Sequence, residues 1–246
     1  MVKNGKYEES AQALKTILNL AYEPIAVKFL ETEATLAGFK VPSERRYCQL
    51  LMGARKGKKL LLTRGNVSCP AAAWALGFKE PPSKLASGEM PASMGIFANP
   101  AAVVNTLNTI PRLPMGKYKM VACCPLALAP FVPDVVVIES AVEHLMWVAL
   151  ASVFESGGRL EFNTAILQAT CVDITIVPFL SQRINTSLGC YGCREATDLA
   201  ESEGVIGFPI KNLEGIVTSL EKLNDKAMPR VRSKTIYRML LERQDA

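Results

Sequence analysis

Residues 118–154 read YKMVACCPLALAPFVPDVVVIESAVEHLMWVALASVF. Two apolar runs, Tyr118 to Cys123 and Asp134 to Ile138, are separated by Pro125, Pro130 and Pro133. Those prolines and Asp134 argue against a membrane helix, although the stretch is apolar enough to suggest one. Short continuous apolar runs bounded by turn residues read instead as strands of a buried sheet. The segment closes on a helical pattern from Ala141 to Phe154, ended by Gly157-Gly158.

Outward from this stretch the same alternation continues. Glu8 to Leu20 carries apolar residues at helical spacing (Leu14, Ile17, Leu18, Leu20) and stops at Pro24; Ile25 to Leu30 reads as a strand. Lys59 to Thr63 is a second strand. Ser68-Cys69-Pro70 opens a helix over Ala71 to Leu76, with Ser68 as cap and Pro70 in the first turn. Residues 81–99 are rich in Pro, Ser, Gly and Met and read as a long loop or short helix, before a helix at Ala101 to Leu107. Downstream come a helix around Gln168 to Val177, a strand at Asn185 to Leu188, a helix at Arg194 to Glu201, a strand at Val205 to Pro209 and a helix at Leu213 to Leu223. The expectation is an α/β fold: a mixed sheet with flanking helices in a single compact domain over residues 1–225. A basic helical tail follows at 226–246, with Ile236, Met239 and Leu240 packed inward.

The 246 residues are 49% hydrophobic and 21% charged, enough apolar material for one large core. The net charge of +5 comes without a long basic run interleaved with aromatics, which disfavours a nucleic-acid partner. Met1 to Lys6 leads into an amphipathic helix and not into an apolar signal segment. The expectation is a cytoplasmic protein with no membrane association.

Seven cysteines accompany a single histidine, His144. An odd count argues against a closed disulfide framework, and reduced thiols in loops or at helix starts usually hold a metal or do redox work. Gly189-Cys190-Tyr191-Gly192-Cys193 is a CxxC framed by glycines, which allow the tight turn that presents N–H groups to sulfur. Cys69 stands at a helix start, where free N–H groups favour a thiolate. Cys48 lies near Arg45, Arg46, Arg55, Lys56, Lys58, Lys59 and Arg64, a field that would offset the charge of a thiolate-held cluster. Cys123 and Cys124 end an apolar strand, where neighbours point to opposite faces, and read as small buried hydrophobes. For Cys171, in an apolar stretch, residue context leaves a buried and a ligating role equally open.

Other chemistry has little support. His144 sits in an apolar helix and reads as structural, so Ser-His-Asp catalysis lacks a base. No phosphate loop and no dinucleotide fingerprint occur. Only 53 residues follow Cys193, too few to complete a thioredoxin fold. Gly189 to Cys193 could cradle an anion, with Arg194 as a cluster neighbour or as the partner of Glu195 or Asp198.

Several pieces of the chain resemble the prokaryotic family named domain of unknown function 169. They are Pro24 to Phe29, Tyr47-Cys48-Gln49, Asn66 to Pro70 with Ala73 to Leu76, Ile110 to Pro114, Gln168 to Asp173, Ser187 to Gly192 with Arg194, and Gly207-Phe208-Pro209. They fall in the family's order across most of residues 20–220. The resemblance implies that Cys48, Cys69, Cys171 and Cys190 form one four-ligand site. Cys193 departs from the family pattern, which has a small residue there, and is expected beside the ligands, able to join Cys190 in a disulfide once metal is lost. Structural zinc usually uses two close Cys pairs, whereas this set has none, so a [4Fe–4S] cluster is expected ahead of zinc. Electron transfer, redox sensing or small-molecule binding would follow, in an anaerobe, with an acidic redox partner or a small ligand. The competing expectations are an enzyme with a catalytic cysteine and a zinc-stabilised interaction protein. Neither an enzymatic reaction nor homo-oligomer formation is settled by the sequence.

Overall fold

A computed structural model describes residues 6–244; the Met1 to Gly5 lead-in and the last two residues lie outside it. The order is α1 (Glu8–Leu18), β1 (Ile25–Leu30), α2 (Tyr47–Arg55), β2 (Leu60–Thr63), α3 (Pro70–Ala75), α4 (Ser83–Ala86), α5 (Glu89–Ser93), α6 (Pro100–Thr109), β3 (Met120–Pro125), β4 (Val135–Ala141) and α7 (Val142–Ser152). A π-helix (Ala169–Ile176) then runs into α8 (Val177–Ser181), followed by β5 (Asn185–Ser187), α9 (Tyr191–Ala196), β6 (Glu203–Pro209), α10 (Leu213–Arg232) and α11 (Thr235–Gln244).

The α/β class is as expected. The six strands form one sheet in the order β2-β3-β1-β4-β6-β5. Every ladder in it is antiparallel, and parallel pairing survives only as the isolated bridges Lys40–Leu60 and Arg45–Val67. The continuous apolar runs report burial on both faces; strand direction is set by the connections and is invisible in the pattern.

Alternate residues feed two cores. Val27, Phe29, Val121, Cys123, Val135 and Val137 face a core covered by α2, α3, α6 and the π-helix. Ala26, Cys124, Val136, Ile138, Ile206 and Phe208 face a second core covered by α1, α7 and α10. Cys123 and Cys124 thus point to opposite faces of β3, and burial pushes both thiols up, Cys124 to about 12.

Two elements depart from the sequence reading. α2 was not expected at all. The tail also differs: α10 runs unbroken through residue 226, and Ile236, Met239 and Leu240 on α11 are 67%, 50% and 53% exposed. With the second face already covered by three helices, the turn through Lys234 (φ +52°) leaves α11 against α10 alone among the principal contacts, and its apolar residues stay outward.

Candidate thiol site

A set of hydrogen bonds brings distant segments together on the first face of the sheet. Asn66 accepts from Thr63 N at 2.6 Å and donates to Pro42 O and Leu61 O, folding the chain sharply after β2. Beside it the Arg45 N–H donates to Asn66 O and the Ser68 N–H to Arg45 O, which sets the start of α2 next to the start of α3. Gln168 Nε2 donates to Ala71 O at 2.6 Å and couples the π-helix to α3, and the Tyr47 and Thr175 hydroxyls, 3.0 Å apart, couple it to α2. Gln49 Nε2 donates to Ala196 O and fixes α9.

The π-helix follows from its own hydrogen bonds. Gln168 O accepts from both Val172 N (2.8 Å) and Asp173 N (3.2 Å), and the Thr175 hydroxyl returns to Thr170 O. Such i→i+5 turns are rare and concentrate at functional sites. The Asp173 carboxylate accepts from the Thr164 hydroxyl at 2.6 Å, and its buried position raises its pKa.

These ties bring Cys48 in the first turn of α2, Cys69 capping α3, Cys171 in the π-helix and Cys190 capping α9 to the wall of one cavity of about 340 Å³, together with Cys193. All but Cys69 are buried. Among the described residues, no three His, Cys, Asp or Glu side chains form a group that could hold a metal ion.

The thiols sense one another. Burial pushes Cys48 up to about 12, with further pressure from the neighbouring Cys69 and Cys190. Burial likewise raises Cys171, reinforced by Cys69, Cys190 and Cys48. Cys190 goes the other way: a hydrogen bond from the Cys193 thiol, opposed by burial and helped by the Ala169 and Cys193 N–H groups, holds it below the usual thiol range. Cys193 is correspondingly raised and keeps its proton.

The remaining candidates are placed as follows. Gly189 lies at φ +90°, where an added Cβ would meet Arg194 Nε at 3.1 Å and Cys193 Sγ at 3.4 Å. Gly192 O accepts from Arg46 Nη1 at 3.5 Å. The Arg194 guanidinium is absent from the cavity wall and, among the described residues, pairs with neither Glu195 nor Asp198: it donates to Leu188 O, Ala200 O and Glu203 O and ties down the loop around α9. Of the seven cations around Cys48 only Arg46 lines the thiol cavity; Arg55 and Lys56 are paired with acidic residues elsewhere. His144 Nδ1 meets the Ser140 hydroxyl at 2.8 Å and is absent from the cavity wall. A larger depression of about 800 Å³ lies at the β2 edge, between Phe39, Arg64 and Lys119, and contains no cysteine.

Sequence reasoning passed over Gln168. Its role depends on which groups its amide meets, a tertiary fact with no local pattern; the π-helix it opens has none either.

Comparison with known proteins gives a consistent picture. Residues 13–219 match the domain of unknown function 169, described as uncharacterised ArCR. An uncharacterised protein of Methanocaldococcus jannaschii, MJ0308, is 29% identical over 221 residues, covering 88% of this chain and 94% of that protein. No solved structure matches the chain. No described helix is long and apolar enough to cross a membrane.

Proposed function

The chain belongs to the family of domain of unknown function 169, and we propose that it holds a [4Fe–4S] cluster on the thiolates of Cys48, Cys69, Cys171 and Cys190. The observation that carries this reading is that four cysteines from four separate elements, up to 142 residues apart, line one cavity. The donor set agrees. The wall offers five cysteine thiols, the thioethers of Met90 and Met94, one carboxylate (Glu195) and no histidine, a composition suited to iron–sulfur or zinc. Sulfurs arranged around the walls of a cavity suit a polynuclear group, whereas one zinc ion needs its thiolates drawn to about 3.8 Å from one another.

Such a cluster supplies one-electron chemistry or a Lewis-acidic iron. The protein's own residues do the rest. Cys193 stays protonated beside Cys190, Arg46 sits at the rim opposite Glu195 at 3.9 Å, and the half-open cavity favours small-molecule binding over electron transfer through a sealed site. Anaerobically purified protein is expected to be brown, with about four iron and four acid-labile sulfide per chain. Stoichiometric zinc without iron would overturn the cluster and favour a zinc-stabilised protein.

One observation favours a second reading. The Cys193 hydrogen bond that lowers Cys190 is also how a nucleophilic cysteine is activated. Metal-free protein whose Cys190 alone reacts rapidly with iodoacetamide near neutral pH would support a catalytic cysteine instead.

A further inference from the structure

The cavity extends past the cysteines. Its far wall is apolar, built from Leu85, Met90, Pro91, Met94, Ile96 and Leu167 on α4, α5 and the segments beside them. At 340 Å³ it has room for about eleven water-sized volumes of ~30 Å³ each. One polar group on the wall is unusual. Gln168 is only 2% exposed, and its Oε1 accepts from no protein group.

Its orientation is fixed. Nε2 donates to Ala71 O at 2.6 Å, and flipping the amide would set Oε1 against that same carbonyl oxygen. Gln168, a residue of the wall, therefore carries a fixed acceptor that the protein leaves without a donor, and a buried acceptor in that condition is costly. The charges at the rim cancel: Arg46 and Glu195 both border the cavity and pair with each other.

We propose that this cavity binds a small neutral molecule with an apolar body and a single N–H or O–H donor, which Gln168 Oε1 receives. The apolar wall takes the body, the orphan acceptor reads the donor, and the self-compensated rim gives no advantage to an ion. Under the cluster reading this molecule lies beside the cluster, but its recognition rests on Gln168 and the apolar wall and does not require iron.

The test uses cyclohexanol, cyclohexanone and cyclohexanecarboxylate as probes on the anaerobically purified full chain, carrying ¹³C-methyl methionine. Met90 and Met94 report from the cavity wall itself. Cyclohexanol is expected to shift those two methyl signals and to bind about 5-fold more tightly than cyclohexanone, as one net hydrogen bond allows. In Gln168→Met the preference should fall to about 1. The wild-type comparison needs no variant, so it stands even if Gln168→Met fails to fold. Equal binding of alcohol and ketone, shifts confined to other methionines, binding of none of the probes, or tighter binding of the carboxylate would each overturn the proposal. Iron and sulfide are assayed on the same sample, so loss of the cluster reading appears in the metal analysis and loss of the ligand reading in the donor preference.

Discussion

Cys193 sits one helical turn beyond Cys190, where its sulfur accepts the Cys190 N–H at 3.0 Å and lies 3.2 Å from the Cys190 carbonyl oxygen. This is the reciprocal geometry of a capping box with sulfur in place of oxygen. A thiol so engaged supports its neighbour's position and keeps its own proton. Under the proposed cluster, Cys193→Ala should therefore retain iron at the wild-type ratio, and it should lose about 1 kcal/mol of stability from the orphaned Cys190 N–H. Cys48→Ala, Cys69→Ala, Cys171→Ala and Cys190→Ala should each lose the visible chromophore. Oxidised, metal-free protein should yield a Cys190–Cys193 linked peptide by mass spectrometry. If instead Cys193→Ala empties the site and Cys171→Ala leaves it filled, the CxxC is the ligand pair and Cys171 is a core residue. The glycine-framed spacing was enough to single out this turn from sequence. It could not distribute the roles, because which sulfur keeps the proton depends on the contact between the two thiols, on burial and on the N–H group of Ala169 from a distant segment.

Among elements, the π-helix that carries Cys171 is seated by a glycine on another strand. A Cβ at Gly207 would fall 1.8 Å from Ile174 O, so β6 can pass the π-helix only without a side chain there. Gly207→Ala should force the two apart, cost about 3 kcal/mol, and lower iron content by displacing Cys171. Gly215 is the control: nothing lies within 4 Å of an added Cβ in α10, and Gly215→Ala should gain about 0.5–1 kcal/mol by chemical denaturation. Loss of iron in Gly215→Ala, or its full retention in Gly207→Ala, would contradict this seating. The central strands were legible because β1, β3 and β4 are apolar on both faces and bounded by proline. α2 was not: it begins at Arg46 without a conventional capping residue, contains Gly53, and spans only nine residues between the charged segments on either side. The π-helix registered only as an ordinary helix around Gln168 to Val177, since apolar residues such as Val172, Ile174 and Ile176 carry no mark of i→i+5 bonding.

At the scale of the whole molecule, Arg55 links the thiol-bearing side of the fold to the sheet. Its side chain is 1% exposed and faces Glu139 of β4 at 3.5 Å, Glu203 of β6 at 3.3 Å and Asp198 after α9 at 2.9 Å, with the Tyr22 ring 4.1 Å away. The basic stretch that seemed suited to a cluster thus supplies a structural cation. Glu139 bears the cost: burial, opposed by Arg55 and reinforced by Glu203 and Asp198, raises its carboxyl from 4.5 to about 7. A carboxyl whose folded pKa lies above its unfolded value binds its proton more tightly in the native state. The stability it contributes is full below about pH 4.5 and is lost as pH rises toward 7. The loss is on the order of 3 kcal/mol at most. His144 works in the opposite sense, since burial lowers its pKa and stability is gained as the unfolded imidazole deprotonates. Only a difference between variants isolates Glu139. Between pH 5 and pH 8, wild type should lose more stability than Glu139→Gln, measured by urea unfolding on samples of equal metal content. The amide keeps the shape and removes the titration, so parallel pH dependences would mean that Glu139 stays ionised against Arg55 throughout, and that the network holds α2 to the sheet without a pH-dependent cost.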